Sequence, residues 1–189
     1  MKKNKIIKRL IVIFISTIMM SGCKNKKDTT GIIYGDSNAS IEIINYSSFQ
    51  CGDCAIMHEK LGSSIKKYIE SGDIKYIEKQ VDIKRFEYDD FIYTHMTDEQ
   101  TENFEELSKI YENQSKLIIM ESSEEVTELV GLQLKKNKKH KKDIEEIRRE
   151  KDKLGLKVVP TIFINGEKIE GNISKEEFEN KIESLLNKK

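Results

Sequence analysis

Two cysteines, Cys51 and Cys54, stand three positions apart in the stretch SSFQCGDC, residues 47–54. Thiols at this spacing can ligate a metal, staple the chain, or open and close as a redox pair. A zinc site needs four ligands, usually a second such pair or closely spaced histidines. The one further cysteine is Cys23, and His58, His95 and His140 show no such spacing. No metal and no other cofactor is therefore expected. A disulfide across two intervening residues closes a very short loop, which stabilises least in the chain-entropy picture. Each cysteine alone would read as a small buried hydrophobe; the pair together reads as redox-active.

Position supplies the chemistry. The run SIEIINYSSF alternates and is rich in isoleucine, which predicts a strand over 40–46 with apolar residues on both faces. From Cys51 onward Met57, Leu61, Ile65 and Tyr68 recur at helical spacing, and SGD at 71–73 ends the helix. Cys51 is thus expected at a helix start, exposed, with its thiolate favoured by unpaired N–H groups and the positive end of the dipole. Cys54, one turn inside, is expected to be more buried and to resolve a mixed disulfide by attacking Cys51.

The remaining elements follow the same logic. IKYIEKQVDI predicts a second strand over 74–83, giving a strand–helix–strand unit with a right-handed parallel crossover. Residues 85–154 change character. Phe104, Leu107 and Tyr111 form one helical stripe, Val126, Leu129, Val130 and Gln133 a second, and Ile144, Ile147 and Leu154 a third. TDEQ at 97–100 and SSEE at 122–125 fit capping boxes. The lysine-rich run KKNKKHKK at 135–142 reads as a solvated helix end or linker; contact with anionic lipid is a second reading. LKVVPTIFING, 156–166, predicts a strand, EKIEG its hairpin partner, and SKEEFENKIESLL a closing helix capped by Ser174 with Glu177. Pro160, the sole proline in 189 residues, sits oddly in that strand because it withholds an N–H from the ladder.

The N-terminal segment MKKNKIIKRLIVIFISTIMMSGC has a basic start, an apolar run too short to span a bilayer comfortably, and small residues leading into Cys23. It resembles a bacterial lipobox, with Met20 where leucine is usual. Residues 1–22 then form a lipoprotein signal peptide, Cys23 carries the lipid, and 23–31 are a flexible tether. An uncleaved signal anchor is the alternative. Both readings put the body outside the cytoplasm, anchored at the outer face of the cell membrane. The first 22 residues hold five of the 33 basic residues and no acid, so the rest of the chain carries an excess of five acids. That balance argues against nucleic acid as a partner.

INYSSFQCGDC, FEELSKIYENQ and LGLKVVPTIFINGEKIEG together resemble the DsbA-like branch of the thioredoxin fold over most of 32–187. The resemblance implies an α/β fold with a central mixed sheet, in the order βαβ, helical insertion, ββα. Its thioredoxin-like core would comprise 32–84 and 155–189, with the inserted helical domain at 85–154. It implies thiol–disulfide exchange with exported proteins or peptides and a membrane redox partner that resets the pair. Pro160 would be cis beside the cysteines, and Val159 would offer its backbone to an extended substrate. Two positions depart from the pattern. The family's buried acid six residues before the first cysteine is here Asn45, which cannot accept a proton at ordinary pH; water or another group, such as Glu78 on the next strand, must serve Cys54. Gly52-Asp53 replaces Pro-His, and Asp53 would oppose a thiolate at Cys51, making the pair a milder oxidant. The second function class is a non-catalytic accessory or binding lipoprotein in peptide export, against which the intact thiol pair argues.

Overall fold

The structure, a computed structural model, describes residues 28–188. The signal segment, Cys23 and most of the expected tether lie outside those residues. Five strands form one mixed sheet in the order β1-β3-β2-β4-β5: β1 (Ile32–Gly35), β2 (Ile41–Ser47), β3 (Ile74–Gln80), β4 (Thr161–Ile164) and β5 (Glu167–Glu170). β2 and β3 run parallel, joined by helix α1 (Gly52–Glu70), and every other pairing is antiparallel. Between β3 and β4 come α2 (Asp89–His95), α3 (Asp98–Glu102), α4 (Phe104–Glu112), α5 (Gln114–Leu117), α6 (Ser123–Val130) and α7 (Lys138–Leu154); α8 (Lys175–Leu186) closes the described chain.

Side chains alternate across β3, and each face meets its own helices. Tyr76 and Glu78 point toward α1 and α4: Tyr76 lies edge-on to Phe104, and Tyr111 bonds Glu78. Lys79 points the other way, fully buried, and its ammonium pairs with Asp28 at 2.6 Å and with Glu150 of α7. Such a cation is tolerable away from water only because both partners reach it. α8 docks beside α1, where Ser64 donates to Glu179 at 2.6 Å and Tyr68 to Glu183 at 2.7 Å. Among the described residues no helix is long and apolar enough to cross a membrane.

Several boundaries differ from the sequence expectation. β3 stops at Gln80 rather than 83 because its parallel partner β2 ends at Ser47. The strand expected from 156 begins only at Thr161; Leu156–Pro160 stay out of the ladder, and the Val159–Pro160 bond is cis. Gln133 does not continue the α6 stripe, since Gly131 ends that helix in a left-handed conformation. Instead Gln133 donates through its backbone to His95 and through its side chain to Met96. Leu154, last in α7, is 43 % exposed rather than buried. The capping box at Thr97 is complete, whereas Glu125 turns from Ser122 to the Glu121 amide. The lysine-rich run enters α7 through an Asn137 cap; there Lys139 pairs with Asp143 and Lys142 with Glu146.

β1 was not expected from the sequence. Its four residues follow Gly31 (φ 110°) and end on Gly35 (φ 87°), and it pairs antiparallel with β3. A Cβ on Gly35 would sit 2.4 Å from the Ile74 carbonyl oxygen, whereas one on Gly131 would meet nothing within 4 Å. Gly35→Ala should therefore lower unfolding free energy by about 2 kcal/mol or more, and Gly131→Ala by only about 1 kcal/mol. Denaturant titration of the two variants checks this, and equal losses would remove the backbone clash as the cause.

Candidate active site

β2 ends at Ser47, and three buried residues, Ser48, Phe49 and Gln50, carry the chain to Cys51 at the N-cap of α1. This link cannot join a helix or a ladder, so its amides must be satisfied from outside. The Cys51 amide donates to Ser48 at 3.2 Å, Phe49 N–H to the Gln80 side chain at 3.0 Å, and Gln50 N–H to Asp89 at 3.2 Å. The Gln50 carbonyl accepts from Gln114 Nε2 at 2.8 Å. Its side chain bridges the Tyr88 amide (2.8 Å) and the Leu117 carbonyl (3.3 Å). The inserted helices therefore fix the approach to the cysteines.

Both cysteines are free thiols. Cys51 opens α1 as expected but is not exposed: only 4 % of its surface is accessible. Its thiol is aimed at the Val159 carbonyl oxygen 3.9 Å away. Cys51 nevertheless forms part of the wall of an open cavity. Its pKa is lowered to about 6, first by a hydrogen bond from the Cys54 thiol, then by the Cys54 and Asp53 amides against the cost of burial. The Asp53 carboxylate opposes this, but as the smallest of these influences. Cys54, 1 % exposed, has its thiol pushed well up by burial and by the Cys51 sulfur. Gly52 and Asp53 are exposed on the first turn between them.

Beneath Cys54 lies a buried polar network. Asn45 and Glu78 are register partners on β2 and β3, so the carboxyl group stands one strand over from Asn45. Glu78 is fully buried and accepts from Tyr111 OH (2.5 Å), Tyr76 OH (2.7 Å), Gln80 Nε2 (2.8 Å) and Asn45 Nδ2 (3.0 Å). Burial pushes its pKa up while these donors pull it down. Tyr111 OH is also 2.6 Å from Ser47 Oγ, and the Ser47 hydroxyl pulls against the raised pKa of Cys54. Hydrogen bonds thus link Ser47, Tyr111 and Glu78, with Ser47 the member nearest in influence to Cys54. His58 offers no charge here: stacked on Phe104 and Tyr111, it is buried and its pKa falls to about 4.

The structure thus brings together Cys51, Cys54, Gly52, Asp53, Val159 and Pro160, with Asn45 one layer below. Ser47, Tyr111, Gln50 and Asp89 were not legible from spacing, because each reaches the site through tertiary packing. Among the described residues no cluster of three or more His, Cys, Asp or Glu is arranged to hold a metal ion.

A family model for thioredoxin matches residues 27–184, and the chain belongs to that family. Solved structures with the same fold include a conserved protein of unknown function from Enterococcus faecalis, with 21 % identity, 82 % of this chain and 90 % of that one covered, and a TM-score of 0.71. Wolbachia pipientis alpha-DsbA1 follows, at 22 % identity, 83 % and 91 % coverage and 0.61. Oxidised BdbD from Bacillus subtilis is 16 % identical, with 86 % and 100 % coverage and 0.61. The fold is accordingly the DsbA-like form of thioredoxin. No curated protein sequence matches the chain significantly.

Asp89 gives the site a measurable pH dependence. Burial raises its carboxyl from 3.8 to about 7, against the opposing pull of the nearby Ser48 hydroxyl and the Gln50 and Phe49 amides. A carboxyl that binds its proton more tightly when folded contributes stability present below about 3.8 and lost as pH rises through about 7. At about 1.36 kcal/mol per unit this amounts to at most about 4 kcal/mol. Asp89→Asn keeps an acceptor for Gln50 and removes the proton. Its unfolding free energy should fall less between pH 5 and 8 than that of the parent; parallel profiles would show that Asp89 does not titrate there.

Proposed function

We propose that this protein is a thiol–disulfide oxidoreductase held outside the cytoplasm by a lipid on Cys23, exchanging disulfides with exported proteins through Cys51 and Cys54. In this reading 1–22 are the signal peptide, 23–31 the tether, 32–84 and 155–189 the core, and 85–154 the inserted helical domain. One observation carries the proposal: two thiols three residues apart are held in opposite states. The helix-start thiol is pulled down to about 6 and the next is buried and pushed up. A structural pair has no need of that asymmetry, whereas exchange requires one attacking thiolate and one reserved thiol.

In the reducing direction the Cys51 thiolate attacks one sulfur of a substrate disulfide. The substrate S–S bond breaks, and its electron pair leaves on the other substrate sulfur, which takes a proton. Val159 offers backbone to the bound segment beside Pro160. Cys54 then gives up its proton and attacks the Cys51 sulfur, expelling the second substrate thiolate and forming Cys51–Cys54. Two electrons have passed to the substrate, and a membrane redox partner resets the pair. Oxidation of substrates is the same sequence reversed. In this reading the Cys54 proton passes to Ser47 and from there along the Ser47–Tyr111–Glu78 hydrogen bonds: Tyr111 takes one from Ser47, and Glu78 takes one from Tyr111. Glu78 thereby serves in place of the acid missing at Asn45.

Cys51 should be alkylated much faster than Cys54 at pH 7, with a rate that rises through about pH 6. Cys54→Ser should accumulate mixed disulfides through Cys51, and Cys51→Ser should not. Equal alkylation, or no trapped complex, would favour a binding role without turnover.

Glu78→Gln keeps a hydrogen-bonding group but cannot hold the proton as a carboxyl. It should slow resolution of a preformed mixed disulfide by about a hundredfold at neutral pH. The rate at which Cys51 forms that mixed disulfide should not change. Stopped-flow measurement of the two steps separates them; an unchanged second step would rule out the Ser47–Tyr111–Glu78 route.

A further inference from the structure

We infer that the cavity beside Cys51 selects substrates whose cysteine is flanked by acidic residues in an extended segment. This inference rests on the redox reading and names the substrate class for it. The cavity has a volume of about 430 Å³, and Cys51 and Val159 form part of its wall. A peptide joined to Cys51 by a mixed disulfide must therefore place its neighbouring residues in this space. Val81, Ile83 and Leu156 line it with apolar surface, and Val158, 46 % exposed, stands at its edge.

Charge decides what kind of peptide fits. Lys84, Arg85, Lys151 and Lys157 line the cavity against two carboxylates, Asp53 and Asp82. Asp82 is already engaged by Arg148 at 3.4 Å, and the Lys151 ammonium donates to the Asp82 carbonyl. Lys84, Arg85 and Lys157 are exposed and form no ion pair among the described residues. Arg85 lies over the Phe86 ring, 4.7 Å from its centre, which fixes its place without neutralising it. Beyond residue 22 the chain is acidic, so a group of unpaired cations at the mouth of the thiol site is local rather than background. A partner segment bearing Glu or Asp would be drawn in, and one bearing Lys or Arg kept out.

The test uses peptides with one central cysteine activated by thionitrobenzoate, flanked by Glu, Gln or Lys. The Cys51 thiolate attacks the peptide sulfur, the activating S–S bond breaks, and its electron pair leaves as coloured thionitrobenzoate. Each rate is divided by that for hydroxyethyl thionitrobenzoate disulfide, which cancels changes in thiolate reactivity. At low salt the Glu peptide should react about tenfold faster than the Lys peptide, with the gap closing at high salt. Lys84→Glu/Lys157→Glu should reverse the order. Equal normalised rates for all three peptides, or an unchanged order in the double variant, would overturn the inference. So would equal rates accompanied by lysine-dependent binding to phosphatidylglycerol vesicles, which would assign these cations to lipid. Failure of every activated disulfide to react would instead overturn the redox reading itself.

Discussion

A carboxyl group with no access to water must be given hydrogen bonds, and Glu78 draws them from three parts of the chain. Asn45 reaches it from β2, Tyr76 and Gln80 from its own strand, and Tyr111 from α4. Removing any one would leave either the acid or its donor buried and unsatisfied, at a cost of about 1–3 kcal/mol. This requirement ties the register of β2 against β3 to the docking of α4, and so ties the inserted helices to the sheet. The cysteine pair rests on top of that junction. Ser47, which acts on the Cys54 thiol, is also a partner of Tyr111.

The inserted helices position the reactive thiol more than they enclose it. Residues 48–50 make no ladder, and Gln50 in particular is held at its amide, carbonyl and side chain by Asp89, Gln114, Tyr88 and Leu117. A link fixed at that many points presents Cys51 to the first amides of α1 in one geometry. Those amides, together with the Cys54 thiol, outweigh both burial and the nearby Asp53 carboxylate. Asp53 does oppose the thiolate, as its charge suggests. Its side chain is exposed to water, where charge is well screened.

Glu78 stands opposite Asn45 across the β2–β3 pair, so a carboxyl lies in the layer where the resemblance puts one. In a parallel pair the residues opposite one another share a layer, so a carboxyl can move to the neighbouring strand and stay on the same side of the sheet. The move adds distance to Cys54. Ser47 and Tyr111 span it.

The sequence alone determined the two thiols and their helix-start placement, the strand–helix–strand unit around them, the capped closing helix and the helical nature of 85–154. These depend on local spacing and capping, which one stretch of chain carries by itself. Glu78 could be named from the sequence only as an acid on the next strand, because two of its partners, Asn45 and Tyr111, each lie 33 residues away. The edge strand β1 escaped notice because four residues ending on a glycine have no pattern until β3 pairs with them. Tertiary structure also decided that the Cys51 thiol is aimed at Val159, that Asp89 and the inserted helices hold the link before it, and that Lys84, Arg85 and Lys157 meet at one cavity. All of these join segments distant in the chain. Residue spacing records which atoms share a turn or a face, and only packing records which turns and faces meet.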